Sequence, residues 1–127
     1  MIDHLGLNVS DFKRSRAFYE AALQPLGLGV VAEIPPDKGG GRPHVGFGPD
    51  RGVFWLSPGD RVSTPLHVAF TADTRAAVDA FHAAALAAGG RDNGAPGPRP
   101  YYHPDYYGAF VLDPDGVNVE AVCHRPA

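Results

Sequence analysis

When the chain is slid along itself by sixty-three positions, HLGLNVSDFKRSRAFYEAAL (residues 4–23) lies on HVAFTADTRAAVDAFHAAAL (residues 67–86) without a gap. His4 falls on His67, Ala17 on Ala80 and Phe18 on Phe81. Ala21, Ala22 and Leu23 fall on Ala84, Ala85 and Leu86, and Gly27 falls on Gly90. A match that runs unbroken from a strand-like into a helix-like stretch implies one supersecondary unit used twice. It fixes the order of elements in both halves at once.

Each half opens on an alternating segment, residues 2–9 and 65–72, with the period of two that a half-buried strand requires. A helix follows. Ser10 or Asp11 can cap the first and Asp73 or Thr74 the second, by accepting free backbone N–H groups. The first helix spaces Phe12, Ser15, Tyr19, Ala22 and Leu23 helically, with Phe18 flanking, and the second spaces Val78, Phe81, Ala85 and Leu86. Both give way to glycine, at Gly27 and at Gly89-Gly90. Three further strands are predicted per half: 28–34, 42–48 and 52–57, then 91–95, 106–113 and 117–124. DPDG (residues 113–116) is a hairpin turn, and GPDRG holds the matching place in the first half. The reading is an α+β chain of two βαβββ modules, residues 1–57 and 65–124, joined by a linker over 58–64 and curving into a cup of mixed sheet.

Bulk properties narrow the function. The 127 residues suit one domain, and the net charge of -3 with scattered basic residues argues against nucleic acid or an acidic membrane as partner. No apolar run is long enough to span a bilayer and no signal-peptide pattern opens the chain, so a cytoplasmic location is expected. Cys123 is the only cysteine, which leaves no intramolecular disulfide and no cysteine-based zinc site; a buried thiol is expected there.

Side-chain parity then gathers the chemistry. Leu5, Leu7 and Val9 share one face of the first strand and His4, Gly6 and Asn8 the other. In the third quarter Leu66, Val68 and Phe70 oppose His67, Ala69 and Thr71; in the last strand Val117, Val119 and Ala121 oppose Asn118, Glu120 and Val122. His4, His67 and Glu120 thus all lie away from the helix-packed side. A lone strand histidine is more often structural or solvent-facing, but two at matched positions with a carboxylate partner suit a divalent metal in a concave pocket.

DHLGLNVSDFKRSRAFYEAALQPLGL at the start, LHVAF in the middle and FVLDPDGVNVEAV at the end resemble the vicinal oxygen chelate superfamily. That group includes glyoxalase I, bleomycin-resistance and fosfomycin-resistance proteins and extradiol dioxygenases. The resemblance implies a glyoxalase-like fold, commonly dimeric, with His4, His67 and Glu120 at the positions of metal ligands for Zn, Fe, Mn, Ni or Co. A fourth ligand, where the family has one, falls at Trp55 or Leu56, neither of which ligates a metal. Glyoxalase I activity is therefore not expected. Gly6 stands where fosfomycin-modifying members carry threonine. The expected function is a metal-dependent lyase or dioxygenase-like enzyme acting on a small substrate that chelates the ion through vicinal oxygens. The alternative is a metal-free small-molecule binding protein of the bleomycin-resistance type.

PYYHPDYY (residues 100–107) holds four of the five tyrosines. It reads as a lid over the pocket or as an aromatic patch packing a loop or dimer contact. Tyr101, Tyr102 and Tyr106, with Trp55, are candidate pocket residues; His103 and Tyr107 are candidates for proton transfer. His44 is in an uncertain register, and His82 and His124 are expected at the periphery.

Overall fold

The computed structural model describes all residues 1–127 and contains two four-stranded sheets and two helices. The first module runs β1 (Leu5–Val9), α1 (Phe12–Leu23), a 3-10 turn (Gln24–Leu26), β2 (Gly29–Ile34), β3 (His44–Gly48) and β4 (Phe54–Pro58). The second runs β5 (His67–Thr71), α2 (Arg75–Ala87), β6 (Arg91–Pro98), β7 (Tyr107–Leu112) and β8 (Asn118–Cys123). The sheets have matching orders, β1-β4-β3-β2 and β5-β8-β7-β6, with the first and last strand of each module parallel and every other pair antiparallel. The expected βαβββ repeat is what forms. No helix is long and apolar enough to cross a membrane.

Asp11 caps α1 by accepting the Arg14 N–H at 3.1 Å, and Thr74 caps α2 by accepting the Ala77 N–H at 3.0 Å. On α1 the buried stripe is Ser15, Phe18, Tyr19, Ala22 and Leu23, so Phe18 sits in its middle and Phe12 at its edge. On α2 it is Val78, Phe81 and Ala85, while Leu86 is 37% exposed. Six strands match the predicted ranges to within two residues at each end, and two, β1 and β6, differ by three residues at one end. β1 starts at Leu5 because its partner β4 starts at Phe54; the last bond of the ladder is Leu5 N–H to Val53 O, and residues 1–4 have nothing to pair with. β6 reaches Pro98 rather than residue 95, with register shifts on both sides of Gly94. It is an edge strand, where Pro96 and Pro98 lose no required ladder bond.

One apolar core joins the modules. Tyr19 packs edge-on against Phe18 and Phe54, both at 4.9 Å, and Phe54 edge-on against Phe70 of β5 at 5.2 Å. Cys123 is fully buried, as expected. The polar link is Asp113. Its Oδ1 accepts the backbone N–H groups of Asp115 (2.8 Å) and Val117 (2.9 Å), shaping the turn between β7 and β8. Its Oδ2 accepts the hydroxyl of Tyr19 at 2.5 Å, within the core. Asp115 in the same turn accepts both the backbone N–H and the hydroxyl of Ser10. The expected hairpin turn is thus also the dock for the other module's helix.

Removing the Tyr19 hydroxyl leaves a carboxylate oxygen of Asp113, itself 2% exposed, without its donor. Tyr19→Phe should lower unfolding free energy by about 1.5–3 kcal/mol, measured by urea titration. Burial first, then the charge of Asp113, pushes the Tyr19 phenol well above its ordinary value. The folded state therefore retains this proton when the unfolded chain has lost it. This contribution to stability is full below about pH 10 and declines above it, and the decline should be smaller in Tyr19→Phe.

Candidate functional site

β8 pairs with β5 in a register that sets His67 opposite Asn118 and Ala69 opposite Glu120, all four side chains on the face away from the helices. His67 Nδ1 lies 3.2 Å from the carbonyl oxygen of Asn118. Its Nε2 lies 3.0 Å from Glu120 Oε1. Both ring nitrogens thus face acceptors, and a neutral imidazole has one N–H, so it satisfies one of the two; both are satisfied when a second proton or a cation sits on the ring. Glu120 is 2% exposed, and its other oxygen, Oε2, accepts the hydroxyl of Tyr106. Burial, then the Glu120 contact, holds the Tyr106 phenol well above its ordinary value, so it donates throughout the physiological range. The His67 ring stacks on Phe110 at 6.0 Å, and the Arg99 guanidinium covers Phe110 at 5.5 Å.

His4 stands one residue before β1, on the other side of a seam between the modules. Its Nδ1 donates to Asp3 at 2.7 Å, leaving Nε2 free. Arg51 pairs with both oxygens of Asp3, at 3.1 Å each. The His4 bond, then Arg51, holds the Asp3 carboxyl below the usual range. His4 and His67 line the same seam cleft of about 380 Å³, with Phe54, Val68 and Phe70 among its walls. The expectation that His4, His67 and Glu120 meet is realised for His67 and Glu120 only. No three His, Cys, Asp or Glu side chains are gathered into a cage. The cause is local: residues 1–4 have no strand partner, and His4 follows Asp3 towards Arg51.

Register also decides between Trp55 and Leu56. Gly6, the repeat partner of Ala69, pairs with Trp55, as Ala69 pairs with Glu120. Trp55 is therefore the symmetry mate of Glu120, while Leu56 is fully buried in the core. The indole lies flat on two glycines: a Cβ at Gly46 or Gly52 would stand 2.9 or 2.4 Å from its ring. Its N–H donates to the Gly52 carbonyl at 3.2 Å. Trp55 forms part of a hollow of about 410 Å³ with His4, Gly6, Ile34 and Gly52.

A profile of the Glyoxalase/Bleomycin resistance protein/Dioxygenase superfamily matches residues 1–121. The chain belongs to this superfamily. Among solved structures, a glyoxalase/bleomycin resistance protein from Albidiferax ferrireducens T118 is similar at 30% identity and a TM-score of 0.78, with 98% of both chains covered. A glyoxalase/bleomycin resistance protein/dioxygenase family enzyme from Burkholderia phytofirmans PsJN matches at 22% identity and TM-score 0.67, also over 98% of both chains. Glyoxalase I from Zea mays matches in fold at 19% identity and TM-score 0.69, over 99% of this chain and 45% of that one. No curated protein sequence matches.

Within this glyoxalase-superfamily chain, the tyrosine segment sorts by face. Tyr101, Tyr102 and Tyr106 form a ladder of rings, 4.7 and 4.8 Å apart, running from Glu120 out to solvent; Tyr101 is 74% exposed. His103 does not reach Glu120. Its Nδ1 accepts the Asp105 N–H at 3.1 Å, so its Nε2 donates to His124 Nδ1 at 2.8 Å. Tyr107, proposed from sequence for proton transfer, is on the opposite face: its hydroxyl donates to Asp79 of α2 at 2.6 Å and Arg75 lies over its ring at 5.0 Å. Adjacent strand residues point to opposite sides, so Tyr106 and Tyr107 cannot share the site. His82, on α2, pairs with Asp92 at 3.0 Å, and His44 bonds the Gly39 carbonyl at 3.0 Å.

Three contributors escaped the sequence reading: Asp3, Phe110 and Arg99. Phe110 had a signal, since it pairs with Glu120 across β7 and β8 and therefore shares its face. Because Trp55 is the only tryptophan, its fluorescence reports this hollow alone. Gly46→Ala should push the indole off its bed and shift emission to longer wavelength, at a cost of about 1–3 kcal/mol in unfolding free energy. An unchanged spectrum would show that the indole does not lie where the register puts it.

Proposed function

We propose that this chain is a metal-dependent enzyme that acts on a small substrate through two neighbouring oxygens. The observation that carries the reading is the approach of His67 Nε2 to Glu120 Oε1 at 3.0 Å, with Nδ1 beside the Asn118 carbonyl. An imidazole nitrogen and a carboxylate oxygen, side by side and both oriented by neighbouring polar groups, are a donor set that a divalent ion fits. Zn, Fe, Mn, Ni and Co all accept it. His4, whose Nε2 is free and which lines the same cleft as His67, would have to turn from Asp3 towards the pair to serve as third donor. The ion when bound supplies Lewis acidity towards the substrate oxygens. The chain's own residues hold the ligands, and the half-buried apolar walls of the seam reduce competition from water. Trp55 at the mate position of Glu120 leaves the set one carboxylate short of a four-ligand site, so the reading excludes true glyoxalase I. It also includes a cytoplasmic homodimer.

Trp55 on its glycine bed favours a second reading, a metal-free binder of flat small molecules. The two separate cleanly. Protein purified without a histidine tag should carry or take up close to one divalent ion per chain by elemental analysis. His67→Ala and Glu120→Gln should each weaken uptake by about 10–100-fold. Ligand binding that survives a strong chelator, together with no stoichiometric ion in any of the three proteins, would favour the binder instead.

A further inference from the structure

We infer that Tyr106 is a positioning residue that holds Glu120 as a one-oxygen ligand, an inference that rests on the metal reading above. The carboxylate has two oxygens with different neighbours. Oε2 accepts the Tyr106 hydroxyl, and only Oε1 is turned towards His67 Nε2. A phenol donating to a carboxylate is a charge-assisted bond, roughly twice as strong as a neutral one. With Oε2 so engaged, Glu120 would offer only Oε1 to an ion held beside His67.

Two further features make the contact a built one. Gly108, the residue of β7 across from Val122, has no side chain to intervene. A Cβ there would stand 3.1 Å from Glu120 Oε2 and 3.2 Å from Tyr106 Cε1. The phenol ring is also walled in. It meets His103 at 5.5 Å and His124 at 5.3 Å, both edge-on, and Tyr102 at 4.8 Å. The two imidazoles are joined to each other, and backbone bonds from Arg99 N–H to Tyr106 O (2.8 Å) and from Tyr106 N–H to His103 O (3.2 Å) fix the segment. The His103–His124 pair thus packs against the tyrosine ring that donates to Glu120. The sequence reading took Tyr106 as a wall for substrate; the hydrogen bond gives it a task in the absence of any substrate.

The test is Co²⁺ titration of metal-freed protein, followed by visible absorption, in wild type, Tyr106→Phe and Gly108→Ala. Tyr106→Phe should weaken Co²⁺ binding by about 10–100-fold and change the absorption bands as the released oxygen turns to the ion. Gly108→Ala should change the bands in the same sense by wedging the pair apart. A role in packing alone would lower the melting temperature of the metal-free variants but leave the bands unaltered. Bands superimposable on wild type, with affinity within about twofold, would overturn the inference, and Gly108→Ala decides it alone if Tyr106→Phe does not fold. Wild type that takes up no Co²⁺ would overturn the metal reading itself and this inference with it, a result separate from any difference between variants.

Discussion

The parallel pairing of first and last strand in each module is the constraint on which the site depends. Parallel neighbours cannot be joined by a tight turn, so a helix and two further strands must be threaded between them. In exchange, residues at the two ends of a module lie side by side. In the second module this pairing delivers the Asn118 carbonyl to one nitrogen of His67 and the Glu120 carboxylate to the other. In the first module the same pairing delivers Trp55 beside Gly6. The two halves share a backbone plan and differ in what the plan presents: a histidine–carboxylate pair on one side, an aromatic plate on the other.

Much of this was legible in the sequence because it obeys short periods. Alternation gave the strands and their faces, and a gapless repeat gave the topology without any long-range information. The His67–Glu120 pair followed from parity plus the assumption that matching modules fold alike. What was illegible depended on where ladders end. His4 lies outside β1 because the ladder with β4 ends at Leu5, whose N–H bonds the Val53 carbonyl, and nothing in IDHLGLNV reports that. Tyr107 was assigned to the site with its neighbours because a run of tyrosines does not reveal which of them enters the strand inward. Trp55 and Leu56 were indistinguishable until pairing with Gly6 fixed the register, since the two modules have turns of different length.

The site is asymmetric in its support as well as its chemistry. Glu120 is buried on the central strand β8, and it anchors His67, which stands exposed at the start of the edge strand β5. His4 depends on one exposed bond to Asp3, which in turn depends on Arg51. Exposed ion pairs of this kind contribute little to holding a geometry. The second module therefore supplies the rigid half of the centre, and the N-terminal residues supply a half whose position is set mainly by what they meet across the seam.

The bond between Tyr19 and Asp113 spans 94 residues of chain. Contacts of such separation slow folding, because loop-closure entropy is lost before any bond compensates it. In the native state the first helix completes its hydrogen bonding only against the last hairpin, so the packing of each half includes the other. A chain that reads as two copies of one unit is therefore closed into one body by its core and by this bond: duplicated in its sequence, undivided in its packing.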